Sequence, residues 1–187
     1  MTSDIASPIR SPRWRNWGGN QQAVAVDVLT PGTVDEVSAL VKAASGSGRR
    51  VKVVGSGHSF TSIAVADDQR LFLNRLAGLV RIEGNLVTVQ AGMPMSALNA
   101  LLATHGLAMP NLGDIDAQTV AGAISTGTHG TGMAHSTIAS CVEAVTLVTG
   151  TGAILHLGPD DPLFPAARLG IGALGIMVEV TLRCVEA

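Results

Sequence analysis

Residues Val51–Phe60 read VKVVGSGHSF and form the stretch best suited to chemistry. Val51, Val53 and Val54 are β-branched and apolar, the composition of a buried strand. The strand pattern then breaks into Gly55-Ser56-Gly57. Two glycines around a serine let the backbone take positive φ and turn successive N–H groups to one side. Such a concavity binds anions, typically phosphate oxygens. His58 follows on its rim. The pattern lacks the third glycine of a dinucleotide fingerprint, where Phe60 stands instead, and it lacks the Gly-Lys-Ser/Thr of a nucleotide-triphosphate loop. The same letters also suit a glycine-rich hairpin turn capped by a histidine.

A second informative stretch is Asn111–Gly132, NLGDIDAQTVAGAISTGTHGTG. Its small side chains let the backbone lie against a flat or extended ligand, and Thr119, Ser125, Thr126 and Thr128 offer hydroxyls along the way. A flexible linker has similar composition, but Val120, Ala123 and Ile124 recur at helical spacing. His129 is placed either to hydrogen-bond a ring or phosphate or to cap its own backbone. Other chemistries find little support. The five histidines share no metal-ligand spacing, so no metal site is expected. No G-x-S-x-G elbow is present, and Asp114 and Asp116 read as turn or cap residues. His105 suits a helix C-terminus, and His135 and His156 suit the surface.

The elements that must position these stretches follow from periodicity. Val24, Val26 and Val28 alternate, so Ala23–Leu29 is expected as one strand. Pro31-Gly32 turns the chain. Thr33 with Glu36 forms a capping-box pattern, and Val34, Val37, Leu40, Val41 and Ala44 carry a helix to about Ser45. Strands follow at Leu71–Leu73, Leu79–Ile82 and Leu86–Gln90, the last two around Gly84-Asn85. Met95–Thr104 reads as a helix closed by Gly106. Cys141–Val148 and Ala153–Leu157 pair around Gly150-Thr151-Gly152. A short helix runs from Asp160-Asp161-Pro162 through Arg168, and Ile176–Leu182 is the last strand. The class is α+β: a small β-α-β lobe over about residues 14–80, then a larger, mainly antiparallel lobe with flanking helices over 81–187. Residues 1–13 read as a flexible tail, and Trp14 and Trp17 as packing anchors in one turn.

Composition narrows the function. The chain has 187 residues, 47% of them apolar, enough for a substantial core. Twenty-two glycines against 3% aromatics favour close backbone approaches over bulky packing. Twelve basic and 14 acidic residues leave no nucleic-acid footprint, and Arg10, Arg13 and Arg15 read as a solvated tail. Two distant cysteines, Cys141 and Cys184, suggest buried reduced thiols. The opening residues lack the apolar core of a signal peptide. The longest apolar run, Leu169–Val178, is too short for a bilayer. A soluble, cytoplasmic protein is expected.

The blocks VVGSGHSF, GDIDAQTVAGAISTGTHGTG and AARLGIGALGIMVEVTL, with the opening Trp14-Arg15-Asn16-Trp17, resemble the FAD-binding half of the vanillyl-alcohol-oxidase family. The resemblance covers about Trp14 to the end. It is greatest to the sugar-lactone branch: L-gulono-1,4-lactone oxidases and dehydrogenases, D-arabinono-1,4-lactone oxidases and alditol oxidases. It implies a PCMH-type FAD-binding fold and oxidation of a sugar lactone or polyol by hydride transfer to flavin. Val54, Gly55, Ser56, Gly57, His58 and Ser59 would wrap the FAD pyrophosphate, with His58 bonded covalently to the flavin 8α-methyl. Gln118, Thr119, Gly122, Ala123, Thr126 and Thr128 would line the ring and ribityl chain. Gly175 and Ile176 would sit near the adenine or the ring edge, and Ala117 beside the ring where oxygen enters. Family enzymes run well beyond this length, and the expected substrate domain, with its catalytic residues, is absent from these residues. With that lid missing, self-association through the flavin face is expected. Two other readings stay open: a non-catalytic flavin-binding module completed by a separate polypeptide, and a relative of UDP-N-acetylenolpyruvylglucosamine reductase.

Overall fold

A computed structural model describes residues 13–25 and 27–187. All but the last residue of the expected tail, Arg10 included, lies outside the described residues, as does Val26. The described chain opens on a two-stranded antiparallel ribbon, β1 (Trp14–Arg15) and β2 (Gln22–Ala23). β3 (Asp27–Leu29), α1 (Val34–Gly46), β4 (Val51–Val53) and β5 (Gln69–Leu71) then build a parallel three-stranded sheet in the order β3-β5-β4. The single strand expected over Ala23–Leu29 is therefore two. Its first residues belong to the ribbon and its last to the parallel sheet, and Val24, at the bend, is 67% exposed. β5 ends where a strand was expected to begin, because Leu73 turns back instead, its carbonyl accepting from the Leu76 N–H at 2.9 Å or less (2.8 Å).

Helix α1 starts as its capping residues dictate. The Thr33 hydroxyl oxygen accepts from the Glu36 N–H at 3.1 Å. The Glu36 carboxylate reaches back one residue further than a standard capping box, to the Gly32 N–H at 2.7 Å. The helix buries Val37, Val41 and Ala44. Val37 and Val41 pack in one cluster with Leu29, Leu71, Leu73 and Leu76 and with Val148 and Val178 of the second sheet. That shared cluster fixes one lobe against the other.

The second lobe begins with the hairpin β6 (Leu79–Glu83) and β7 (Leu86–Gln90), followed by α2 (Met95–Thr104), β8 (Leu107–Ala108) and α3 (Val120–Ser125). The chain continues through β9 (Val142–Val148), β10 (Ile154–Leu157), α4 (Phe164–Arg168), β11 (Ile176–Arg183) and β12 (Val185–Glu186). Five of these strands form an antiparallel sheet in the order β10-β9-β11-β7-β6. Its inner face, including Val87, Val89, Val145 and Val180, packs on Leu98 and Leu102 of α2 and Val120 and Ile124 of α3. Gly92 lies so close to this junction that a Cβ there would stand 2.0 Å from the Leu73 carbonyl oxygen. Cys141 and Cys184 are both buried free thiols, and burial, with Cys141 nearby, pushes the Cys184 thiol up to about 11. No described helix is long and apolar enough to cross a membrane. Among the described residues, no cluster of three His, Cys, Asp or Glu forms a metal-holding group.

Ion pairs tie the parallel sheet at its entry. Arg49 bridges Asp27 and Asp68, each at 2.6 Å, and the Arg50 N–H donates to Asp68 at 2.8 Å. That backbone N–H first, and the Arg49 guanidinium second, hold the Asp68 carboxyl below its ordinary range. A depressed folded-state pKa adds stability above the unfolded value, and that stability is lost as pH falls through the folded value. Asp68→Asn is therefore expected to lower the urea midpoint at neutral pH and to flatten its fall below about pH 4, the usual carboxylate range. Urea titrations of both proteins across that pH window check it.

Candidate functional site

A groove runs between the two lobes. Because β4 is the edge strand of its sheet, one side of its backbone is unpaired, and three successive residues, Val51, Lys52 and Val53, contribute to the groove wall. The opposite wall comes from α3 and from the segment leading into β11. The space amounts to about 1050 Å³ counted out through the open mouth. Its walls approach closely because they are glycine. A Cβ on Gly55 would stand 2.7 Å from the Thr119 hydroxyl oxygen, which caps α3 by accepting from the Gly122 N–H at 3.1 Å. Gly175 has φ +150°, and a Cβ there would meet the Val148 carbonyl oxygen at 2.4 Å. Ile171, also on the wall, holds φ +51°, a left-handed conformation that is strained for a β-branched residue. Such strain costs on the order of 1–3 kcal/mol.

The loop after β4 is held from behind. The Val54 N–H donates to the Leu71 carbonyl at 2.9 Å, and the Ser56 hydroxyl donates to the Ala117 carbonyl. Gly57, at φ +72°, rests on the Trp14 ring, where a Cβ would come within 3.2 Å. Trp14 in turn lies over the buried Arg70 guanidinium at 5.3 Å. Asn16 supplies the clamp. Its side-chain amide donates to the Ser59 carbonyl at 2.9 Å and to Asn20 Oδ1 at 2.8 Å, and its Oδ1 accepts from the Gln21 N–H at 2.9 Å. Asn20 and Gln21 both donate to the Phe60 carbonyl. The opening turn is thus a bracket for residues 57–60, beyond the packing role expected of its tryptophans. His58 is half-buried and stacks on Trp17, ring centroids 5.2 Å apart and planes 23° apart. Trp17 also meets the edge of Phe60 at 6.2 Å.

The residues singled out from sequence divide by position. Val54, Gly55 and Ser59 line the groove, and so do Thr119, Gly122 and Thr126 of the facing wall. Gly175 and Ile176 line it at the start of β11. Ser56, Gly57 and His58 form the crest of the loop beside the groove. Ala117 is exposed, and its carbonyl anchors Ser56. Gln118 and Thr128 face each other, side-chain atoms 3.1 Å apart, away from the groove wall. Ala123 departs from expectation: it is fully buried in the core. The helical period explains this, since Val120, Ala123 and Ile124 make the inner face of α3 while Ala121, Gly122 and Ser125 face the groove. His129 is satisfied locally by the Gly130 carbonyl at 2.9 Å. Sequence reasoning missed Lys52 and Asn16. Lys52 sat inside an apparent buried strand, and the Ser59 partner of Asn16 lies 43 residues away.

A glycine-walled groove between a small parallel lobe and a larger antiparallel one, with an amide-rich turn at its side, defines a dinucleotide-binding domain. Comparison with known proteins makes this specific: residues 27–158 match the FAD binding domain family, and the chain belongs to it. The chain is 37% identical over 177 residues to the L-gulono-1,4-lactone dehydrogenase of Mycobacterium tuberculosis, covering 94% of this chain and 41% of that protein. It is 39% identical over 182 residues to the D-arabinono-1,4-lactone oxidase of Eremothecium gossypii, covering 93% and 34%. To the L-gulonolactone oxidase of Bos taurus the identity is 36%, covering 92% and 40%. The chain therefore spans well under half the length of these curated relatives. A solved solvent-stable cholesterol oxidase superposes with a TM-score of 0.82 at 22% identity, over 97% of this chain and 40% of that one. The fold is the PCMH-type FAD-binding fold.

The Asn16 bracket makes a testable claim. Asn16→Ala leaves the part-buried Ser59 carbonyl without its donor, at about 1–3 kcal/mol. Stability is expected to fall by that order, with amide exchange accelerated at residues 57–60 and unchanged in β11 outside global unfolding. Exchange rates that rise uniformly through the chain would contradict the local role.

Proposed function

We propose that this chain is the cofactor half of an FAD-dependent oxidoreductase acting on CH–OH groups of a sugar lactone or polyol, of the L-gulono-1,4-lactone or D-arabinono-1,4-lactone type. The observation that carries the reading is a small-residue groove bounded by the Gly55–Ser59 turn, in a chain of the FAD binding domain family. The fit is supported by construction. Gly55 occupies a position where a side chain would collide with Thr119 of the facing wall, and Gly175 one where it would collide with Val148 of the neighbouring strand, so both present only backbone to the groove. The unpaired edge of β4 offers peptide groups, and Thr119, Ser125 and Thr126 sit opposite with hydroxyls.

On this reading the turn from Val54 to Ser59 holds the diphosphate, the α3 wall holds the ring and ribityl chain, and Gly175-Ile176 bounds the adenine or ring edge. Bound FAD supplies the two-electron acceptor, taking a hydride from the sugar carbon in the complete enzyme. His58 is the tether to the flavin 8α position. Its support is geometric: the ring is fixed by stacking on Trp17, and among the described residues no hydrogen bond occupies either ring nitrogen. A neutral imidazole nitrogen left available in this way is a competent nucleophile. Trp17 and Phe60, 69% and 61% exposed beside the loop, form part of the open flavin face through which we expect the chain to self-associate.

Acid precipitation and intact mass after incubation with FAD test the reading. With dissolved oxygen taking up the two electrons and two protons released as the N–C bond forms, a yellow pellet and a mass raised by one FAD less two hydrogens are expected, and His58→Ala should bind FAD that denaturation releases. A colourless pellet with loosely held FAD would remove the tether and keep the cofactor assignment. Failure to bind FAD at all would remove both.

A further inference from the structure

Among the described residues Ile171 is the one non-glycine with positive φ, at +51°, and Gly172 beside it holds φ +77°. The Ala173 N–H donates to the Gly170 carbonyl at 2.8 Å and closes a four-residue turn around them. Positive φ at both central positions is the pattern of a type I′ turn, which favours Asn, Asp or Gly there. A β-branched residue suits the first of those positions poorly. The turn has little room to relax, because the chain on either side is tightly packed. A Cβ on Gly170 would stand 2.6 Å from the Ala166 carbonyl oxygen in α4, and one on Gly175 would stand 2.4 Å from the Val148 carbonyl oxygen of β9. Burial does not offset the strain, since Ile171 is 47% exposed. Its exposed side chain lines the groove. A second cavity of about 670 Å³, between α1, β4 and the end of β9, shares Val51, Gly172, Gly175 and Ile176 with the groove. The turn therefore stands where groove and cavity join, beside the first residue of β4. Gly55 lies four residues further on, on the order of 13 Å of extended chain. With the diphosphate at the Val54–Ser59 turn and the flavin edge at His58, the end at Val51 and Gly172 takes the adenosine. No aromatic side chain is among the described residues that line the groove, so a flat ring there is gripped by aliphatic groups.

We propose that Ile171 is the purine contact of the groove, held up to the ring by a turn that its own side chain destabilises. The inference rests on the FAD reading above. The part of the side chain left open in the empty protein is covered by the purine face when the dinucleotide binds. A contact fixed in advance spares the ordering that a flexible one needs on binding. The strained backbone is the same in the free and the bound protein. It therefore lowers the stability of the fold and leaves the affinity untouched, whereas the side chain raises the affinity. Stability and affinity are set against each other at this one residue.

The test uses the chain in a His58→Ala background, so that binding is reversible. Affinities for FAD, ADP and FMN are measured by fluorescence and calorimetry, and the ligand-free chain is melted. Asn tolerates positive φ, so Ile171→Asn is expected to raise the ligand-free melting temperature by about 2–4 °C. The same variant should weaken ADP and FAD by about tenfold, the size of half an isoleucine side chain of apolar contact, and leave FMN unchanged. Ile171→Leu keeps an apolar group at the ring and should hold ADP within about threefold of the parent. A residue with a packing role alone would lose stability and affinity together. Ile171→Asn with a lowered melting temperature and equal losses for ADP and FMN therefore overturns the proposal. So does a loss for FMN with none for ADP, which would put the flavin ring at this turn. If the parent binds neither FAD nor ADP, the FAD reading fails and takes the proposal with it. If the parent binds both and Ile171→Asn binds them equally, only the proposal fails.

Discussion

The close approach of Gly55 to Thr119 is the contact on which the site depends. Residue 55 lies in the loop just after the small lobe's edge strand, and residue 119 caps α3 in the large lobe. A Cβ on residue 55 would stand 2.7 Å from the threonine hydroxyl oxygen, so the two lobes meet here only because one partner has no side chain. The same hydroxyl caps α3 through the Gly122 N–H. One oxygen atom therefore sets both the start of a helix and the width of the groove. The apolar cluster that joins α1 to Val148 and Val178 holds the lobes at that separation from the other side. Burial of this kind resists sliding because packed interiors are dense and deform little.

Much of this was legible in the sequence, and the reasons differ by element. α1 and α2 follow local rules, a capping threonine in one case and a closing Gly106 in the other, with apolar residues at a 3.6 period, and they fall where those rules put them. The β6–β7 hairpin is legible for the same reason, its turn carrying Gly84 at φ +61°. The parallel pairing was implied by the β-α-β pattern, but the strand order was not. Pairing β5 between β3 and β4 joins strands far apart in the chain, and no local pattern encodes that order. The alternation of Val24, Val26 and Val28 concealed a change of partner, because apolar alternation marks strands without saying which sheet each joins. The glycine loop was readable from its letters, whereas Asn16 acts through atoms 43 residues away. Ala123 was misplaced because the composition of residues 111–132 was weighed and the facing of α3 was not.

The electrostatics of the groove follow from how the lobes are built. Carboxylates of the small lobe are spent at the entry of its sheet, where Asp27, Asp67 and Asp68 pair with Arg49 and Arg50. Further along the same sheet Lys52 lines the groove, and no Asp or Glu is among the described residues that line it. The matched ion pairs of this short parallel sheet thus stand at the N-terminal edge of its strands. Fixed charges in a partly excluded site act more strongly than the same charges in water.

The aromatic layer links the small parallel sheet to His58. Trp14 stands between the Arg70 guanidinium and the backbone of Gly57, and Trp17 stands against the imidazole of His58 one residue on. Both tryptophans come from one turn, and that turn is held by the hydrogen bonds of Asn16 to Ser59 and Gln21. Both ends of the loop are consequently indexed to a single piece. A shift of the turn would move the backbone of Gly57 and the imidazole of His58 together and leave their spacing intact, so the opening turn of the described chain sets the geometry of the loop as directly as β4 does.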